Sequence, residues 1–325
     1  MGLLRLVSFG ELMLGLFPPR SERLEQTAVL EITPACSELN TAVIVSRLGL
    51  ECSFVTKVVN NELGRLLVRK VQEQGIDMAN TIWTDEGRIG MMFADRGVNP
   101  HQVEIVYDRG GTPMQMLQPG EFSWESILHG AQVLHTSGIT AGLSSSAAEA
   151  TLEAVSVAKE SNVMVSFDVN YRRALWSEDC ARRILIPLLE YIDILFVTEN
   201  DARRIFGIHS CCVETTVKEL ALRFDLDLVV ISLRMREGTS LLRGIRNGLV
   251  FCGGRIQRDR WRSFCSIGRL GSGDAFAGGF LFGYLTSGLE EAIRCANAAS
   301  VLKQTNPGPL GWLVLEELKY GMGRE

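Results

Sequence analysis

The stretch "RLGSGDAFAGGF", residues 269–280, decides how the chain is read. Gly271-Ser272-Gly273 is a glycine-rich turn, Asp274 follows it, and a strongly apolar run comes next. Each glycine inside a helix costs about 1 kcal/mol relative to alanine. Gly278, Gly279 and Gly283 therefore need a reason, and close approach of neighbouring backbone supplies one. A glycine turn that feeds a helix leaves backbone N–H groups unpaired, and the helix dipole stands behind them. Together they make an anion site. Asp274 in the first turn can cap that helix, as aspartates commonly do. Alternatively it points into a cleft and accepts a proton.

Composition sets the outer limits. The chain has 325 residues, 46% hydrophobic and 22% charged, which suits a globular protein with an ample core. Its net charge is −5, and Lys and Arg are scattered, so neither nucleic acid nor a membrane surface is called for. Eight cysteines show no CxxC spacing, and with four histidines they give no zinc pattern. Free thiols in a reducing cytoplasm are the plain expectation. The apolar start "MGLLRLVSFGELMLGLF" is broken by Glu11 and lacks a small-residue cleavage site, so it reads as a buried strand over 3–9. No run reaches the ~18 apolar residues of a membrane span.

Along the chain, strand and helix alternate. Helices are expected over 37–50, with Ser37 as cap, and over 61–74, 145–160, 178–190, 199–206 and 213–224. Strands are expected over 52–58, 132–136, 163–169, 193–198 and 228–233. The pattern is that of a parallel sheet covered by helices on both faces. Residues 11–33 and 88–112 break it, being strand-rich without helices; the turn-rich 96–101 joins two strand-like runs in the second. These two regions are expected to form a small separate sheet, a lid over the carboxyl edge of a core built from 1–10, 34–87 and 113–325.

Other phosphate and hydrolase motifs are missing. There is no Gly-Lys dipeptide for a Walker loop, no GxGxxG after the first strand, and no HExxH or GxSxG. "LGSGDAFAGGFLFGYL" resembles the C-terminal signature of the PfkB, or ribokinase-like, sugar kinases, and "ELNTAVIVSRLGL" resembles their N-terminal one. "VYDRGG", "HTSGIT", "FDVNYRRALW" and "ISLRMREG" are similar to segments of 2-keto-3-deoxygluconate kinases. The resemblance implies a ribokinase-like three-layer α/β/α fold with a central, mostly parallel sheet and a small β-sheet lid. It implies transfer of the ATP γ-phosphoryl group, with Mg2+, to a hydroxyl of an acid sugar. Asp274 would be the base, and the N–H groups of Gly271, Ser272 and Gly273 would stabilise the transferring charge.

Further positions follow from the same resemblance. Asn40 would meet sugar hydroxyls; otherwise it is a solvated polar residue. Tyr107 and Arg109 would hold the acid sugar, the arginine fork suiting a carboxylate; otherwise Arg109 makes a surface salt bridge. Asn170 and Arg172, following a buried strand, would lie near the substrate and the transferring phosphate, or else form a loop cap and an ion pair. Thr198, Ser232 and Arg234 would line the nucleotide, and Asp201 would organise magnesium through water. His135 reads as a satisfied core histidine.

The chain also departs from the family pattern. Ala35 and Cys36 stand where the family has Gly-Gly, Met92 where it has a lid tyrosine, and Pro309 where it has an aspartate. Gly268 replaces the aspartate that helps bind a monovalent cation, which argues against that cation here. Thr198-x-x-Asp201 stands for Asn-x-x-Glu. An acid-sugar kinase is the leading expectation. A non-catalytic sugar- or nucleotide-binding protein and a fructokinase-like kinase of neutral sugars stay open beside it. A homodimer through the lid is expected because "IGMMFAD" is apolar on more than one face.

Overall fold

The computed structural model describes residues 4–19, 22–95, 104–236 and 243–323. The turn expected at 96–101 lies outside the described residues. The chain opens with β1 (Arg5–Phe9), β2 (Met13–Phe17), β3 (Glu31–Ala35), α1 (Ser37–Arg47), β4 (Glu51–Val59) and α2 (Glu62–Gln72). Four short strands follow: β5 (Ile76–Asp77), β6 (Thr81–Thr84), β7 (Met91–Ala94) and β8 (Ile105–Asp108). The middle runs α3 (Trp124–Leu128), β9 (Val133–Ser137), α4 (Gly138–Ala141), α5 (Ser145–Glu160), β10 (Met164–Asp168), α6 (Glu178–Leu188) and β11 (Ile194–Val197). After it come α7 (Glu199–Phe206), α8 (Val213–Phe224), β12 (Leu228–Arg236), β13 (Arg243–Cys252), β14 (Arg255–Arg258) and β15 (Arg262–Cys265). The chain closes on α9 (Ser272–Ser287), α10 (Leu289–Lys303) and α11 (Leu315–Met322).

The main sheet runs β14-β13-β12-β11-β10-β9-β1-β4-β5. From β12 to β5 every pairing is parallel. Parallel strands need helical crossovers, which cover both faces and leave both sides of each strand dry. Successive residues show this directly. Leu6 and Val133 belong to one buried cluster, Val7 and Leu134 to the other. The sheet reverses at β13, which pairs antiparallel with β12, β14 and β15. This antiparallel end, absent from the expected pattern, carries buried Arg246 and Asn247 in the middle of β13.

The small separate sheet is present, in the order β3-β2-β7-β8. β3 runs to Ala35, two residues past the expected boundary at 33. Ser37 does not cap α1. The helix starts one residue earlier than the cap assignment requires, and Cys36 takes the N-cap, its sulfur accepting from Leu39 N at 3.4 Å. Ser37 becomes the first helical residue, and its hydroxyl turns elsewhere.

The glycines of α9 are explained by packing. A Cβ on Gly278 would lie 2.7 Å from Ile44 Cβ of α1. One on Gly279 would lie 2.7 Å from both Ala299 Cβ and Cys295 O of α10, and one on Gly283 would lie 2.7 Å from Ala292 Cα. Gly279→Ala adds helix propensity of about 1 kcal/mol but overpacks this contact at about 1–3 kcal/mol. The expected outcome is a lower urea midpoint with an unchanged m-value. Gly273→Ala, whose Cβ meets nothing within 4 Å, is the control and should not lower it.

Candidate active site

Gly271 is the N-cap of α9 and sits in the left-handed region at φ 78°. A Cβ there would lie 2.0 Å from Pro309 O, so no other residue fits. Of the three N–H groups expected to form the anion cradle, that of Ser272 donates to Arg269 O at 3.2 Å. Those of Gly271 and Gly273 make no backbone hydrogen bond among the described residues. The cradle is therefore narrower than expected, with the α9 dipole aimed through it.

Asp274 does not cap the helix. Its carboxylate reaches across to α1, where Oδ1 accepts from Ser37 Oγ and Oδ2 from Asn40 Nδ2, each at 2.6 Å. Asn170 Nδ2 donates to the same Ser37 Oγ at 2.7 Å. Asn170 holds a positive φ of 37°, which asparagine tolerates better than most residues. Burial pushes the Asp274 carboxyl up, while the bonds from Ser37 and Asn40 and the charge of Arg172 pull it back. Asn40 is buried, and its Oδ1 has no hydrogen-bond partner among the described residues, leaving an acceptor in the wall of the cleft.

Glu38, which sequence reading passed over, ties α1 to the sheet. Its Oε1 accepts from Ser137 Oγ at 2.5 Å and Thr140 Oγ1 at 2.7 Å, and its Oε2 from Cys36 Sγ at 3.0 Å. Burial, then the Glu38 charge, drives the Cys36 thiol well up, so it stays protonated.

Two clefts meet at Asp274. The first, of about 390 Å³, is lined by Asn40, Met92, Tyr107, Arg109 and Arg172, with Cys36 and Pro309 also in its wall. The second, of about 360 Å³, is lined by Asp168, Asn170, Thr198, Asp201, Ser232 and Arg234. Arg172, Gly271 and Asp274 belong to both. Tyr107 and Arg109 come from the small sheet and the segment after it. The second cleft follows the carboxyl ends of β10 and β11, where ligands bind in such sheets.

Arg109 is placed in the cleft but is not a free cation. Its Nε donates to Glu11 Oε2 at 2.9 Å, one Nη joins the same oxygen, and Thr112 Oγ1 bonds the other. The pair is buried, not the surface salt bridge considered as its alternative. Arg172 makes no ion pair among the described residues and is exposed in both clefts. Thr198 caps α7, and its hydroxyl donates to Asp201 Oδ2 at 2.7 Å. Arg234 lies 4.9 Å from the Phe264 ring centre. His135 is a core residue bonded to Ser166 Oγ at 2.9 Å, with burial lowering its pKa to about 3.

The chain belongs to the family of pfkB family carbohydrate kinases, whose model matches residues 4–250. It is a sugar kinase similar to kinases of 2-keto-3-deoxy sugar acids. It is 31% identical to a 2-dehydro-3-deoxygalactonokinase of Haloferax volcanii, over 97% of this chain and 95% of that one. It is 27% identical to fructokinase-1 of Oryza sativa, over 95% and 94%. The crystal structure of a 2-dehydro-3-deoxygluconokinase from Thermotoga maritima matches with a TM-score of 0.93 at 32% identity, covering 98% of this chain and 99% of that one.

Asp168, at the end of β10, gives the site a pH signature. Burial pushes its carboxyl up to about 8, helped by the neighbouring charges of Asp274 and Asp201. The folded chain thus holds this proton more tightly than the unfolded chain does. The stability it contributes is full below about pH 4 and is lost as pH rises through about 8. Without divalent cations, the thermal midpoint is expected to fall across that range, and Asp168→Asn should flatten the fall. A pH series by scanning fluorimetry checks this; equal slopes in both proteins would assign the effect elsewhere.

Proposed function

We propose that the protein transfers the γ-phosphoryl group of ATP to a hydroxyl of a 2-keto-3-deoxy sugar acid, with 2-keto-3-deoxygluconate the first candidate. The observation that carries this reading is the position of Asp274. It stands where the two clefts join, beside the α9 cradle, held by Ser37 and Asn40. The sugar takes the first cleft and the nucleotide the second. Asp274 accepts the hydroxyl proton as the sugar oxygen attacks the γ-phosphorus, and the bond to the β-bridging oxygen breaks to release ADP. The Gly271 and Gly273 N–H groups and Arg172 neutralise the charge carried by the transferring group.

The donor set fits a divalent cation that arrives with the phosphates. Asp168 and Asp201 are two neighbouring carboxylates whose pKa values burial raises, and a divalent charge would relieve both. Among the described residues no three acidic, His or Cys side chains converge on one metal, so Asp168 and Asp201 would hold Mg2+ through water. Its role would be to offset phosphate charge. Arg172 and the Nη1 of Arg109, which makes no hydrogen bond among the described residues, would meet the sugar carboxylate, with the Tyr107 ring beside them.

Neutral sugars form the second reading, favoured by the Glu11 carboxylate that already offsets Arg109. ADP release with ATP, Mg2+ and either 2-keto-3-deoxygluconate or fructose separates the two. A higher kcat/KM for the acid sugar supports the first reading, and the reverse order supports the second. Asp274→Asn should lower kcat by about 10²–10⁴-fold with the true acceptor. Turnover unchanged by this substitution would remove Asp274 as the base.

We also propose that two copies pair through the small sheet. Ile32 of β3 and Val106 of β8 expose 40% and 55% of their surface, and Val29, just before β3, exposes 64%, in support of a covered face. Light scattering at micromolar concentration should give a dimer mass, and Val106→Glu should return it to a monomer.

A further inference from the structure

Lys303, the last residue of α10, is among the largest side chains with no exposure at all. Taking an ammonium out of water is costly unless it is well paired. Among the described residues its hydrogen bonds go to backbone carbonyls: Nζ donates to Asn306 O at 3.1 Å and to Gly308 O at 2.9 Å. Burial lowers its pKa to about 8, and the charge that opposes this is Asp274. At neutral pH the ammonium therefore keeps its charge.

Its place in the fold gives that charge a purpose. Pro309 O stands 2.0 Å from where a Gly271 Cβ would be, and Lys303 Cε stands 3.3 Å from the same point. The lysine stem thus lies beneath the turn that opens α9. On the other side, a Cβ on Gly268 would lie 3.2 Å from Asn306 O, the carbonyl that Lys303 holds. Carbonyl oxygens turned toward one positive charge are the surroundings that a hard cation seeks.

We propose that Lys303 is a built-in cation: its ammonium fills a carbonyl-lined place behind the anion cradle that would otherwise take a free monovalent cation. It is a positioning residue, reaching neither cleft. By drawing the 306–309 segment onto one charge, it sets the Pro309 carbonyl against Gly271 and so fixes the angle of the cradle. The proposal rests on reading that cradle as the phosphoryl site, but the thermal-midpoint arm of its test does not depend on knowing the sugar.

Two variants separate charge from space. Lys303→Ala removes the charge and leaves room for an ion; Lys303→Met removes the charge and keeps the stem. Thermal midpoint and kcat are measured across potassium and ammonium chloride, with tetramethylammonium chloride holding ionic strength constant. The wild type should be indifferent to which cation is present. Lys303→Ala should lose about 10-fold or more in kcat, with a smaller change in KM. Potassium or ammonium should restore its midpoint and kcat saturably, and should not restore Lys303→Met. A saturable response of the wild type to potassium or ammonium overturns the proposal, as does Lys303→Ala that ignores both ions. If Lys303→Ala fails to fold, the wild-type midpoint series decides alone: cation-independence supports the proposal and a saturable shift ends it. A wrong substrate would abolish turnover in every protein and leave the midpoints readable.

Discussion

The contact between α9 and α1 is the constraint on which the rest of the site depends. Gly278 lets the two backbones approach closely, and Asp274, one turn earlier, then meets Ser37 and Asn40 at 2.6 Å. A bulkier residue at 278 would hold α9 off and lengthen both bonds. On its opposite side α9 is pressed onto α10 through Gly279 and Gly283. The helix is fully sandwiched, and its first turn has no freedom to drift. A charge-stabilising cradle works only when its donors are already in place, since a site that must reorganise loses the benefit.

Electrostatics in the site follow from the same burial. Asp168, Asp201 and Asp274 share one positive neighbour, Arg172, which draws down all three carboxyls. Arg109 contributes less net charge than its composition suggests, because Glu11 sits against it in a dry environment. Among the described residues, Arg172 is the arginine that lines both clefts. The Asn40 Oδ1, buried and without a hydrogen-bond partner among the described residues, is the unsatisfied acceptor beside this charge.

Much of the architecture was legible because periodicity reports burial. The alternation of apolar runs and amphipathic stretches gave α5 and α8 their observed limits, and the glycine motif located the α9 terminus. What escaped were charged residues inside the protein. Glu38 and Lys303 look like surface residues in a sequence, since nothing local tells that hydroxyls or carbonyls will converge on them. Strand β13 escaped for a related reason: buried Arg246 and Asn247 interrupt its apolar pattern. Ser37 was misassigned as a cap because cap preference is local, whereas its real partner, Asp274, lies 237 residues away.

That last separation has a consequence for how the protein is made. Ser37 bonds Asp274 across 237 residues and Asn170 across 133, and the Lys303 contacts come later still. During synthesis from the N-terminus, α1 emerges long before these partners, and Ser37 and Asn40 meet Asp274 only after most of the chain has left the ribosome. Closing so long a loop costs entropy that only the completed α9 and α10 packing returns. The join between α1 and the start of α9 is therefore among the last parts of the fold that synthesis can complete.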